Sequence, residues 1–129
     1  MNVLRKNYSV LEDPVGPYVH AVRHGSTLYL SGLTAFGTDA QSDSMENQAR
    51  EIFKKIQAVA VSEGSSLENI IKVTIYVTEL SGIKALRHAL FDIYGQNLPA
   101  SSLVQVAGLF AEDLKIEVEA IIAVDNDEN

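Results

Sequence analysis

The chain has 129 residues, 47% of them hydrophobic, with 17 acidic against 10 basic side chains and no cysteine. One domain with an ample core fits that length, and the missing cysteine excludes disulfides, thiolate nucleophiles and zinc ribbons while suiting a reducing compartment such as the cytoplasm. A net charge of −7 offers no positive field for a phosphate backbone, and no apolar run reaches membrane-spanning length, so neither nucleic acid nor a membrane is an expected partner.

The first residues, Met-Asn-Val-Leu-Arg-Lys-Asn, are too polar for the apolar core of a secretory signal. Residues 18–23 and 27–31 read as a hairpin turned at His24-Gly25-Ser26. Over residues 42–63, Met45, Ala49, Ile52, Phe53, Ile56, Val59 and Ala60 recur at helical spacing. Ser42 or Ser44 is placed to cap that helix, and Gly64 to take the left-handed position beyond its end. Ile71, Val73, Ile75 and Val77 then alternate with Lys72, Thr74, Tyr76 and Thr78, as in a half-buried strand. A second helix over residues 81–94 carries the stripe Ile83, Leu86, Leu90, Ile93 and stops at Gly95. Residues 102–107 form a strand between Pro99 and Gly108. The last strand, residues 114–124, alternates Leu114, Ile116, Val118, Ala120 and Ile122 with Lys115, Glu117, Glu119, Ile121 and Ala123. The order β-β-α-β-α-β-β predicts an α+β domain over residues 1–124 with both helices on one sheet face. Residues 125–129 read as an acidic, frayed tail.

The other face of that sheet carries Thr74, Tyr76, Thr78, Ile121 and Ala123 beside Glu117 and Glu119, too apolar to be left entirely in water. Such mixed faces mark interfaces, which predicts an oligomer with small-molecule clefts at its seams. Glu117 and Glu119 share that face by strand period. If the face is covered, burial raises at least one carboxyl pKa and makes it a candidate general acid or base; the commoner alternative is two solvated carboxylates. His20, His24 and His88 match no metal-ligand spacing; His24 fits a turn, His88 an exposed helix face, and His20 a structural role on a strand. Gly16-Pro17-Tyr18 reads as a loop stop followed by a half-buried aromatic, and Ser31-Gly32 as a hydroxyl with close backbone approach. No phosphate loop, dinucleotide fingerprint or nucleophile elbow occurs, and neither metal nor cofactor is expected.

Five fragments stand in a particular order: Gly16-Pro17-Tyr18, Leu30-Ser31-Gly32, Ile71-Lys72-Val73-Thr74-Ile75-Tyr76-Val77, Pro99-Ala100 followed by Ser102, and Lys115-Ile116-Glu117-Val118-Glu119-Ala120-Ile121. Together, over about residues 14–124, they resemble the RidA/YjgF family, small proteins once labelled L-PSP endoribonucleases and known as imine and enamine deaminases. The resemblance implies a chorismate-mutase-like α+β fold with two helices on one face of a mixed sheet. It also implies a homotrimer with ligand clefts between subunits. In that family an arginine grips the carboxylate of a reactive 2-imino or 2-enamino acid, and a last-strand glutamate orients the water that hydrolyses the C=N bond. The glutamate's position here is Glu117, and Glu119 is left a structural role. Tyr18, Ser31 and Gly32 match cleft-lining positions, and Ser102 matches the residue after the arginine.

The arginine's own position is Ser101, framed by Pro99 and Ser102. A hydroxyl cannot imitate the two-pronged guanidinium–carboxylate match. Three further departures are Leu33 for a glutamine, Arg87 for a cleft asparagine, and Leu103 for a frequent cysteine. Arg87 is the candidate to supply the missing cation, against the plainer reading of a solvated helix arginine; Arg23 is a weaker candidate. Two functions stay open: a deaminase of altered specificity, and a trimer that binds a small metabolite or modulates a partner without chemistry. RNA cleavage is a distant third.

Overall fold

Side chains that alternate between core and solvent build a six-stranded mixed sheet in the computed structural model, which describes residues 1–125. The strands are β1 (Val3–Lys6), β2 (Ala21–His24), β3 (Thr27–Leu30), β4 (Ile70–Val77), β5 (Ala100–Gln105) and β6 (Ile116–Ala123), in the spatial order β1-β2-β3-β6-β4-β5. The helices are α1 (Met45–Ser62), between β3 and β4, and α2 (Ile83–Tyr94), between β4 and β5. All neighbours are antiparallel except β4 and β5. Both β3 and β4 oppose β6, so β3-α1-β4 and β4-α2-β5 are successive parallel crossovers stepping toward the same edge. Right-handed crossovers stepping the same way put both helices on one face. The α+β class and the one-sided helix layer are as expected.

The core lies between that layer and the sheet. Leu28, Val73, Ile75, Val77, Ile116, Val118 and Ile122 pack against Ala49, Ile52, Ile56, Val59 and Leu86, all essentially inaccessible to solvent. Ser44 caps α1, its hydroxyl accepting from the Asn47 N–H at 3.3 Å. Gly64, at φ 74°, ends α1. Gln48 is wholly buried in α1, and its amide is fully used. Its Nε2 donates to the carbonyls of Gln41, Asp43 and Asp113, while its Oε1 accepts from the Lys115 N–H at 2.9 Å. A buried amide is tolerable only when so satisfied, and here it ties the loop before β6 to the start of α1.

Several boundaries differ from the expected ones. The N-terminal strand β1 was not foreseen; its side chains are mostly exposed at a sheet edge, where no buried face imposes a two-residue period. Strand β2 starts at Ala21, leaving Tyr18 in the preceding loop. The His24–Thr27 pairing makes a tight turn of Gly25-Ser26, with Gly25 at φ 65°. Ile71 does not face the core. A register shift between Ile70 and Lys72 turns Ile71 out to solvent and buries Ile70 in its place. Strand β5 begins at Ala100 and forms the other edge, and β6 begins at Ile116, after Leu114. Of the expected tail, residues 126–129 lie outside the described residues.

Candidate functional site

The site begins where β3 runs into the loop that carries Ser31 and Gly32. The Ser31 N–H donates to the His20 carbonyl (3.0 Å) and its hydroxyl donates to the Val19 carbonyl (2.7 Å). The chain then bridges to β6 through reciprocal bonds between Leu33 and Val118 at 2.8 and 3.0 Å. That bridge sets Gly32 directly against Glu117. A Cβ on Gly32 would stand 2.9 Å from the Glu117 Cδ, so the carboxyl occupies the space that any other residue's side chain would claim. Gly32 thus leaves open the space that the Glu117 carboxyl fills.

Glu117 is half-buried, and no hydrogen bond reaches its carboxylate among the described residues. Burial pushes its pKa above the ordinary carboxylate value, and the neighbouring charge of Glu119 adds to the rise. Glu119 is engaged differently: it accepts a short hydrogen bond from the Tyr76 hydroxyl, which raises the tyrosine's pKa. Tyr76 stands opposite Glu117 and Thr74 opposite Glu119, so all four share the open face of the sheet. One carboxylate has a partner and, among the described residues, the other has none. The two acids that strand period put on one face differ in kind.

Tyr18, Ser31 and Gly32 come together as walls of a cavity of about 90 Å³, with residues 11–15, Thr34, Phe36, Lys55 and Phe110 around them. The Tyr18 ring is 46% exposed, and its hydroxyl accepts from the Val15 N–H at 3.4 Å. His20 underpins the same wall. Its Nδ1 accepts from the Tyr8 N–H (2.9 Å) and its Nε2 lies 2.7 Å from the Glu12 carbonyl, a pattern that makes Nε2 the protonated nitrogen. Buried and bonded on both sides, His20 is structural, as expected. His88 stands on the exposed face of α2, 4.0 Å from Asp92.

Arg87 and Ser101 come together elsewhere. Both line a groove of about 290 Å³ between α2 and the start of β5, walled by Leu90, Phe91, Tyr94, Leu98 and Pro99. Arg87 is exposed, with no hydrogen bond or ion pair among the described residues, and the Tyr94 hydroxyl buried in the wall has no partner there either. Ser101 pairs with Val73 and so faces the helix side, whereas Ser102 pairs with Thr74 and faces the open side with Glu119. Glu117 and the Arg87–Ser101 groove therefore lie on opposite sides of one chain's sheet. Arg23, the weaker cation candidate, is 7% exposed and spent on structure. It donates to Glu63 (3.4 Å), to the Gly25 carbonyl (3.1 Å) and, by a short bond, to the Asp125 carbonyl.

Sequence reading passed over Lys55. It sits in α1 between Ile52 and Ile56, where charged residues beside an apolar stripe ordinarily point to water. Its amine instead reaches the cavity and donates to the Thr34 carbonyl at 2.8 Å. Only the packing of the loop at Thr34 reveals this, and no spacing motif announces it.

A family model described as Endoribonuclease L-PSP matches residues 10–124. The chain belongs to the RidA/YjgF family. A 2-iminobutanoate/2-iminopropanoate deaminase of Salmonella typhimurium is 34% identical over 112 residues, covering 83% of this chain and 87% of that protein. A RutC family protein of Pyrococcus horikoshii is 30% identical, covering 84% and 87%. The crystal structure of RidA from the Antarctic bacterium Psychrobacter sp. superposes with a TM-score of 0.78 at 30% identity, covering 86% of this chain and 91% of that one. The RidA/YjgF fold is therefore the fold of this chain, and the fragments that carried the resemblance fall in the loop before β2, in the Ser31-Gly32 loop, and on or next to β4, β5 and β6.

Proposed function

We propose that this RidA/YjgF protein binds a small 2-imino or 2-enamino acid in clefts between the subunits of a homotrimer and hydrolyses it to the 2-oxo acid and ammonia. The observation that carries this reading is the Glu117 carboxyl held over Gly32, half-buried, unpartnered among the described residues and raised in pKa. In the reaction, water adds to the carbon of the protonated C=N group as Glu117 takes its proton, giving a neutral carbinolamine; Glu117 returns that proton to the nitrogen, and the C–N bond breaks as the hydroxyl releases its own proton to water and becomes the 2-oxo group, freeing ammonia. A carboxyl whose pKa is lifted toward neutrality is a better base for that water than an ordinary one. Tyr18, Ser31 and Gly32 form one wall. The groove of Arg87 and Ser101, with Ser102 on the other face of β5, forms the wall that a neighbouring copy brings. Because Arg87 and Glu117 lie on opposite sides of one sheet, only a second subunit unites them. The open face, with Tyr29 at 46% and Val104 at 45% exposure beside Ile121 and Ala123, supports burial by another copy.

The second reading is a trimer that binds a metabolite or modulates a partner without turnover, favoured by Ser101, which offers a single hydroxyl where the family places its guanidinium. The two are separated by following keto-acid release when the purified protein is added to a dehydratase that makes 2-iminopropanoate or 2-iminobutanoate. Acceleration by the native chain, lost in Glu117→Ala, is expected. No acceleration by the native chain together with gain in Ser101→Arg would overturn hydrolysis of these substrates and leave the binding reading.

A further inference from the structure

We propose that Tyr76 is a positioning residue: by tethering the Glu119 carboxylate, its hydroxyl keeps the two acids of β6 from sharing one proton, so that Glu117 takes and gives protons alone. The use made of that proton rests on the reading of Glu117 given above; the tether and its effect on Glu117 do not.

Strand period sets Glu117 and Glu119 about 7 Å apart along one face of β6, a gap that two flexible glutamates can close. Carboxyls that meet hold one proton between them, and the pair then titrates as a unit. Here they are drawn apart. The Glu117 carboxyl lies in the space over Gly32, while Glu119 is pulled across to β4, where it accepts from the Tyr76 hydroxyl. Tyr76 stands opposite Glu117 and Thr74 opposite Glu119, so the contact runs along the diagonal, within reach of long side chains. A hydroxyl donated to a carboxylate is one of the stronger hydrogen bonds. The bond to Glu119, burial and the charges of both acids raise the Tyr76 pKa, so the phenol keeps its hydrogen throughout the range in which carboxyls titrate.

The other groups on this face leave the task to Tyr76. On β4, Lys72 lies opposite Ile121 and makes no ion pair among the described residues. On β3, Tyr29 also lies opposite Ile121. Strand β5 adds Ser102 and Val104, opposite Thr74 and Tyr76, and neither carries charge. The loop beside Glu117 contributes only Ser31, Gly32 and Leu33. Lys115, two residues before Glu117, gives its amine to the Asp43 carbonyl at 2.8 Å. Glu117 is left to feel burial first and the charge of Glu119 second. Phenylalanine would fill the same place at position 76, so packing on the sheet does not by itself call for the hydroxyl.

The test is a carboxyl-carbon NMR titration of the full chain without substrate, with thermal unfolding as the check on folding. In Tyr76→Phe the freed Glu119 can turn to Glu117 and share its proton, so the Glu117 midpoint should rise by about one pH unit. In Glu119→Gln the neighbouring charge is gone, and the midpoint should fall toward the ordinary carboxylate range. Adding Tyr76→Phe to Glu119→Gln should change nothing further, because Tyr76 acts only through Glu119. A midpoint that stays or falls in Tyr76→Phe overturns the inference, as does a rise that persists in the double variant. Glu119→Gln probes the same contact from β6 should the phenylalanine variant fail to fold, and a midpoint it leaves unmoved overturns the inference too. Keto-acid release across pH is read on the same proteins, and its acid limb should follow the Glu117 midpoint up and down. Midpoints that move as expected without turnover uphold the tether and remove the catalytic reading, whereas turnover with an unmoved midpoint removes the tether alone.

Discussion

Replacing Gly32 by alanine tests the geometry of the site with one methyl group. Gly32 has no positive φ, so its backbone conformation is open to alanine. The added Cβ would stand 2.9 Å from the Glu117 Cδ and 3.1 Å from its Cγ. Carbon–carbon contacts settle at about 3.5–4.0 Å, so the carboxyl must retreat by roughly an ångström. It retreats toward water, since β6 fixes its backbone and Val118 and Ile116 on either side are locked in the core. The burial that raises the Glu117 pKa is thereby relieved, and its titration moves down toward the ordinary carboxylate range. A misplacement of about 1 Å at a reacting group costs about 100-fold in rate, so keto-acid release should fall by about that factor while the fold is retained. The assays are carboxyl-carbon NMR titration of Glu117 and keto-acid release across pH. An alanine variant with the native Glu117 titration and the native rate would refute the claim that Gly32 exists to seat this carboxyl.

Glu117 also bears on stability. Its folded pKa lies above its unfolded one, so its contribution is present below the unfolded carboxylate range and is lost as pH rises through the raised value. Glu117→Gln, uncharged throughout, should therefore gain stability relative to the native chain as pH rises above the unfolded carboxylate range and keep that gain at neutral pH, read by denaturant unfolding at each pH. Glu63 behaves oppositely. Burial pulls its pKa up, but hydrogen bonds from Lys6 (2.6 Å) and Tyr8 (2.6 Å) and the charges of Lys6 and Arg23 outweigh it and hold the carboxyl low. Its stabilisation is thus present above the unfolded carboxylate range and lost as pH falls through the depressed value. Tyr8→Phe should cost about 1–3 kcal/mol at neutral pH and move the onset of acid unfolding upward, as followed by circular dichroism.

The sequence was most readable where one face of an element is buried and least where neither is. Along β6, Ile116, Val118, Ala120 and Ile122 face the helices without exception, because a slip of one residue would expose them all. Strand β1, exposed along most of its length, imposes no such penalty and left no period to read. Ile71 misled because β-branched residues occur in an unbroken run, Ile70-Ile71, and alternation cannot say which of the two is the bulge. At the site, the placement of Glu117 and Glu119 on one face followed from strand period alone. Their division into an unpartnered acid and a Tyr76-bonded one did not, since it depends on cross-strand register. Lys55 was invisible for a further reason: its role comes from a loop carbonyl far away in the chain, and α1's own pattern would allow any polar residue there.

Ser101 and Arg87 share one groove. Strand β5 turns Ser101 toward α2, and the same groove receives the Arg87 side chain one helix face away. A guanidinium at position 101 would enter a groove of about 290 Å³ that already holds a cation and is walled largely by Leu90, Phe91 and Leu98. Two like charges in one groove repel each other. In this chain the cation of the groove is Arg87, carried on the helix, and Ser101 opposite it is small and neutral. A helix-borne arginine is long, exposed and free to swing, where one on the strand would be held by sheet register, so it loses more side-chain freedom on gripping an anion. The charge of this groove is therefore carried on a mobile side chain, while Lys55 is held at the Thr34 carbonyl.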